Sequence, residues 1–218
     1  MALAVEELAC VDALSDEMSR VAEMVSRSVV LIRARQSGTG SGVVWNDGGI
    51  VVTNHHVVRG ERASIILRDG SQLRARVVLR APGLDLAALQ VEGDFEEYLV
   101  PATIGDSTRL RVGELIVAVG NPMGERNAVT LGMVSAAGSH RPARPGEPIL
   151  ASITLRPGNS GGALADVQGR VVGIPHMIIG PGLALAVPSR AVEWMLYDGR
   201  DFSLVRPSWT AWRDIDLI

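Results

Sequence analysis

A single cysteine, Cys10, in a chain of 218 residues leaves no partner for an intramolecular disulfide. The fold must therefore hold by burial and hydrogen bonding alone, and Cys10 reads as an inert thiol. Aromatic residues are scarce at 4%, so the core has to be built from Val, Leu, Ile and Ala. Charge of one sign is lacking too: 21 Lys and Arg against 24 Asp and Glu give a net charge of -3, which supplies no basic field for nucleic acid or an anionic membrane. No window approaches the ~18 consecutive apolar residues that a spanning helix needs. The first residues carry Glu6, Glu7 and Asp12 around a short apolar stretch, with neither a basic start nor an apolar run of leader length. On that reading the chain is expected in the cytoplasm.

What is abundant is glycine, 24 residues of it, punctuating short β-branched segments. Before these, residues 14 to 27 place Leu14, Met18, Val21 and Val25 at helical spacing, which predicts an amphipathic helix. From Ser28 the pattern changes to SVVLIRAR, SGVVW, GIVVTN, ASIILRD and QLRARVVLR, and it continues to about residue 188, roughly a dozen strands separated by turn residues. That spacing predicts an all-β body of two barrels. The expected layout is a helical segment over 1–27, barrel one over about 28–105, barrel two over about 106–188, a closing helix over 189–198 that begins at the N-cap candidate Ser189, and a tail over 200–218. The tail holds two of the four tryptophans and reads either as a strap on the barrels or as a partner-binding segment. No internal repeat is visible.

The sharpest local signal is RPGNSGGALA, residues 156–165, where Ser160 is framed by Gly158, Asn159, Gly161 and Gly162. Residues that tolerate unusual φ/ψ on both sides suit a nucleophile presented on a tight turn, and such a turn leaves backbone N–H groups for an oxyanion. A glycine-rich turn with an incidental serine has the same appearance. A serine hydroxyl needs a base and a group to orient the base. TNHHVV, residues 53–58, supplies His55 and His56, and DLAAL, residues 85–89, supplies Asp85. Histidine, aspartate, serine is one of the known chain orders of the catalytic triad. A GxSxG elbow is missing, which removes an esterase on an α/β-hydrolase sheet. His140 and His176 show no partner pattern and read as surface or structural residues. No cluster has metal-ligand spacing and no glycine run suits a phosphate, so no metal and no cofactor is expected.

GSGVVWNDGGIVVTNHHVV, DLAALQV, GELIVAVGNPMG, VTLGMVSAAG, PGNSGGALADVQGRVVGI and LALAVPSRAV resemble, in this order, the blocks of the HtrA/Deg serine proteases within the chymotrypsin-like clan. The resemblance spans about residues 28 to 195. It implies a double six-stranded β-barrel and a serine endopeptidase with His56, Asp85 and Ser160 as triad, because the family's histidine directly precedes the Val pair. His55 then occupies a variable position. The resemblance further implies an oxyanion hole at Gly158, Asn159 and Ser160, and a substrate pocket with Thr154 at its base and Leu155, Leu185, Ala186 and Val187 nearby. Thr154 stands where a Lys- or Arg-specific enzyme carries an aspartate, so small or medium aliphatic P1 residues are expected.

Three departures qualify the resemblance. ASITLR replaces the usual block before PGNSGG, Ala163 stands for a proline, and the chain stops about thirty residues after PSR, too soon for a PDZ domain. Regulation would then fall to loops, such as SHRPARPGEP over 139–148, to the terminal segments or to a partner. Polypeptide substrates are the expected partners, with a homo-oligomer, a trimer by family resemblance, or an activating protein as further ones. The competing reading is a protease-fold interaction module that is inactive or zymogen-like until a partner switches it on.

Overall fold

The computed structural model describes residues 2–34, 38–124, 127–137 and 147–198, without side chains for 2–10. Barrel one is built from β1 (Val29–Ala34), β2 (Gly38–Val44), β3 (Ile50–Asn54), β4 (Arg62–Ile66), β5 (Gln72–Ala81) and β6 (Leu86–Glu92), closed in the order β1-β2-β3-β6-β5-β4. Barrel two consists of β7 (Leu115–Gly120), β8 (Ala128–Ala136), β9 (Ile149–Ser152), β10 (Ala163–Asp166), β11 (Val171–Gly180) and β12 (Leu183–Pro188). Its closed order, β7-β8-β9-β12-β11-β10, repeats that of barrel one strand for strand. The expected double barrel with an N-terminal and a short C-terminal helix is what the structure contains.

Alternation along the strands explains how so few aromatics suffice. In β2 and β3, Val44 and Val51 fill barrel one while their neighbours Val43 and Val52 face the seam between the barrels. In β7 and β12, Ile116, Ala118, Ala184 and Ala186 fill barrel two while Val117, Val119, Leu185 and Val187 face that seam. Successive side chains of a strand point to opposite faces, so a strand with a core on each side reads as an uninterrupted apolar run. Three small aliphatic cores thus replace one large aromatic one.

Two helices close the seam. Helix α1 (Ala2–Ser26) buries Val21 and Val25, half-buries Met18 and leaves Leu14 more than half exposed, so only its last turns dock. Helix α2 (Ser189–Tyr197) inserts Ala191, Val192 and Met195 into the same core. Pro188, not the expected Ser189, caps α2, and Ser189 is its first helical residue: it donates to the Gly105 carbonyl at 2.7 Å and accepts from the Ser107 N–H at 3.3 Å, tying α2 to the inter-barrel connection. The candidate loop over 139–148 lies almost wholly, and His140 and the tail over 200–218 entirely, outside the described residues.

Candidate active site

The seam between the barrels is where the chemically able residues meet. Strand β3 runs out at Asn54 into a single 3-10 turn, His55–Val57, and another such turn, Pro82–Leu84, delivers the chain to Asp85 at the head of β6. Leu84 and Leu86, both fully buried, anchor Asp85 from either side. Asp85 adopts a left-handed conformation, φ 49° and ψ 42°, uncommon outside glycine but one that aspartate tolerates better than most. Its carbonyl accepts from the His55 N–H at 2.9 Å and from Asn54 Nδ2 at 3.0 Å, so the backbone of β6 is clasped to the end of β3.

The Asp85 carboxylate completes the clasp. Oδ1 accepts from the backbone N–H of His56 at 2.9 Å, and Oδ2 lies 2.6 Å from His56 Nδ1. Oδ2 also lies 2.7 Å from Nδ1 of His176, on β11 of the other barrel. Burial opposes ionisation of Asp85, but the hydrogen bonds from His176 and then His56 outweigh it and hold the carboxyl well below the usual carboxylate range. An ionised carboxylate only accepts, so both Nδ1 atoms carry their protons, and in the neutral imidazole this tautomer leaves Nε2 of His56 as the acceptor. The two histidines of the NHHV run face different neighbours. His55 Nδ1 lies 3.1 Å from Arg80 Nη1, and burial together with that guanidinium lowers the His55 pKa.

Ser160 comes from the other side, on the loop between β9 and β10. Gly158 and Gly161 sit at φ +101° and +81°, where a side chain would be strained. A Cβ at Gly161 would also collide with Thr53 Oγ1 and the Ser41 carbonyl, so the loop is pressed against the end of β3. Within this loop the Asn159 N–H is bonded to the Arg156 carbonyl at 3.0 Å and the Gly161 N–H to the Pro175 carbonyl at 3.1 Å. Among the described residues, the N–H groups of Gly158 and Ser160 have no acceptor. No hydrogen bond joins His56 to Ser160 there either.

Ser41, a fully buried residue of β2 that the sequence reading passed over, stitches the loop down. Its hydroxyl donates to the Gly158 carbonyl at 2.7 Å and accepts from the Asn121 N–H at 2.8 Å, while its own N–H donates to the Ser160 carbonyl at 2.9 Å. Asn121 in turn donates from Nδ2 to the Val30 carbonyl at 2.9 Å. The GSG of the first block was the available signal, a small polar residue between two glycines and ahead of the apolar pair Val43 and Val44.

The expected pocket residues separate. Thr154 is exposed and Leu155 half-buried ahead of the Ser160 loop. Leu185, Ala186 and Val187 are 1%, 3% and 0% exposed, their side chains absorbed by the cores of the seam and of barrel two. His176, read as surface or structural from the sequence, is instead a direct partner of Asp85; its signal was missing because its contact spans 91 positions. His56, Asp85 and His176 also bring one ligand-type atom each to within 4.8 Å of one another, a grouping that no local spacing announces. The N···O separations of 2.6 and 2.7 Å suit hydrogen bonds. Two ligands of a tetrahedral zinc, each ~2.0–2.1 Å from the metal, would stand roughly 3.3 Å apart.

Comparison with known proteins agrees with this geometry. Residues 40–174 match the model of the trypsin-like peptidase domain. A DegP-like periplasmic serine endoprotease of Brucella suis is 39% identical over 166 residues, covering 73% of this chain and 32% of the relative. A periplasmic serine protease of Haemophilus influenzae, described as do/HhoA-like, is 36% identical over 179 residues, covering 78% and 38%. The chain therefore spans about a third of the length of these curated relatives. The HtrA-type protease AlgW, solved with a decapeptide, superimposes with a TM-score of 0.71 at 27% identity, covering 82% of this chain and 66% of the other. The relatives' periplasmic descriptions overturn the cytoplasmic expectation. That expectation rested on the first residues, whereas export is directed by segments outside the folded barrels, which keep no trace of it. With matching barrels and a matching domain model over more than half its length, the chain belongs to the trypsin-like peptidase family.

Proposed function

We propose that the chain is a serine endopeptidase in which Ser160 is the nucleophile, His56 the general base and Asp85 the residue that orients His56. The observation that carries this reading is the double hold of the Asp85 carboxylate on His56, through the backbone N–H at 2.9 Å and Nδ1 at 2.6 Å. That hold fixes the tautomer in which Nε2 accepts a proton. Ser160 Oγ attacks the scissile carbonyl as its proton passes to Nε2, the imidazolium is stabilised by Asp85, and Nε2 returns the proton to the leaving amine. Water then hydrolyses the acyl-enzyme by the same proton route. The amides of Gly158 and Ser160 are the donors for the tetrahedral oxyanion, and one such donor contributes about 2.7–4 kcal/mol of transition-state stabilisation. The Asn159 N–H, already bonded within the loop, is not one of them.

Thr154 and Leu155 offer no carboxylate to a basic P1 side chain, so cleavage follows small or medium aliphatic residues. Polypeptides exported to the relatives' compartment are the substrate class, and a trimer, by the same resemblance, is checked by light scattering. The lack of a His56–Ser160 hydrogen bond favours a second reading, in which a partner or the substrate itself draws the two together. Labelling with a fluorophosphonate probe and hydrolysis of an unstructured polypeptide test both. Labelling of the isolated chain that vanishes in Ser160→Ala supports the triad as it stands. Labelling that needs an added activating peptide supports the second reading, and wild-type turnover by Ser160→Ala ends both.

A further inference from the structure

We propose that Arg80 is a positioning residue of the active site, one that fastens the chain on both sides of His56 and so fixes the direction of its imidazole. The proposal rests on the triad reading above. Its starting point is the turn His55–Val57, which is closed by a single backbone bond, from the Val58 N–H to the His55 carbonyl at 3.2 Å. Beyond it the chain runs through residues 58–60 without regular structure, and among the described residues no backbone N–H meets the carbonyls of Val58 and Gly60. Arg80 meets both. Its Nη1 donates to the Val58 carbonyl at 2.6 Å and its Nη2 to the Gly60 carbonyl at 2.7 Å. Carbonyls at the end of a helical turn need such donors, and a guanidinium offers several in one rigid fork.

The aim of Arg80 is built into strand β5. Along its first half Leu73, Ala75 and Val77 face the core of barrel one, while Arg74 and Arg76 are exposed. The register against β6 pairs Val77 with Leu89 and Leu79 with Ala88, so Val78 is the extra residue of a β-bulge. One inserted residue exchanges the faces of those beyond it. Arg80 therefore pairs with Ala87, a residue of that same core, and leaves the strand on the inward side, where Val57 and Val58 join the core. A cation on an inward face is costly unless its donors are met. The carbonyls of the segment after His56 meet them.

The same guanidinium reaches the residue before His56. Arg80 Nη1 lies 3.1 Å from His55 Nδ1, and since a guanidinium only donates, that nitrogen accepts and is unprotonated. Burial first and then the Arg80 charge lower the His55 pKa; His56 and Arg59 add to this, and Asp85 opposes it. His55 is thus neutral at pH 7, and the imidazolium formed on His56 during turnover has no second one next to it. The His56 side chain is 44% exposed, so packing holds it loosely and its direction depends on the backbone that carries it. Asp85 grips the N–H and Nδ1 of His56, while Arg80 grips the side chain before it and the carbonyls after it.

The test compares Arg80→Met, which keeps an unbranched stem without a donor, with Arg80→Lys, whose ammonium keeps the charge and can donate to the same carbonyls. For the full chain the expectation is a kcat lowered about five- to twentyfold in Arg80→Met with KM within about twofold, and Arg80→Lys within about threefold of wild type. Unchanged kcat in a folded Arg80→Met overturns the proposal. Equal damage in both variants also overturns it, since both keep the stem and only lysine keeps a donor. Proton NMR of histidine-labelled Ser160→Ala protein reads the geometry without turnover. Adding Arg80→Met to it should raise the His55 pKa, because a cation that lowers it is gone, and should speed solvent exchange of the His56 Nδ1 proton; Arg80→Lys should do neither. A raised His55 pKa with unchanged exchange at His56 Nδ1 overturns the positioning of His56, whatever the fate of the triad reading.

Discussion

Replacing Ser41 by alanine removes one hydroxyl and strands two groups. The Asn121 N–H loses its 2.8 Å acceptor in a fully buried setting, and the Gly158 carbonyl loses its 2.7 Å donor at a half-buried one. A buried polar group left without a partner costs about 1–3 kcal/mol. Water can reach the Gly158 carbonyl and recover part of its share, so the sum is about 2–4 kcal/mol. For a domain of this size each kcal/mol shifts Tm by about 2–4 °C, which predicts a fall of roughly 5–15 °C in thermal unfolding followed by circular dichroism. The same change frees the peptide unit between Gly158 and Asn159 to rotate, so kcat should fall as well. Ser135→Ala is the control, because the Ser135–Ser152 hydroxyl pair is exposed, and its loss should stay within about 0.5 kcal/mol. Equal Tm values for the two variants would refute the claim that Ser41 fastens the Ser160 loop across the seam.

Gly161→Ala combines a strained φ of +81° with a collision against Thr53 Oγ1 and the Ser41 carbonyl, so loss of more than about 3 kcal/mol, seen as insolubility or a collapsed urea midpoint, is expected. Soluble, wild-type-like protein would contradict the packing described for this loop. The depressed Asp85 pKa gives a pH signature with a definite sign: its contribution is complete above the unfolded value of about 3.9 and is lost as pH falls below it toward the folded value. Denaturation midpoints of wild type and Asp85→Asn should therefore converge as pH drops below about 4, and a gap that widens there would refute the linkage.

Much of the fold was legible in the chain because its signals are local. β-branched runs cut by glycine and aspartate mark strands, and PGNSGG marks a turn that only glycine can make. The blocks around His56, Asp85 and Ser160 likewise carry their identity within a few residues each. The first half of the N-terminal helix misled, since helical spacing makes Leu14 and Val21 equivalent while only the latter meets a barrel. Leu185 and Val187 misled in the opposite direction, because an apolar strand residue reads the same whether it lines a pocket or fills a core. The shared strand order of the two barrels escaped as well, since a topology can repeat without any repeat in the residues that realise it.

Residue type, spacing and turn chemistry are enough to mark a double-barrel chain that carries histidine, aspartate and serine in a catalytic order. Tertiary structure alone decided how those residues are held. Ser41 bridges to the Gly158 carbonyl across 117 positions and His176 reaches Asp85 across 91. Contacts of that kind depend on strand register, a bulge and the closure of two barrels against each other, which no window along the chain contains.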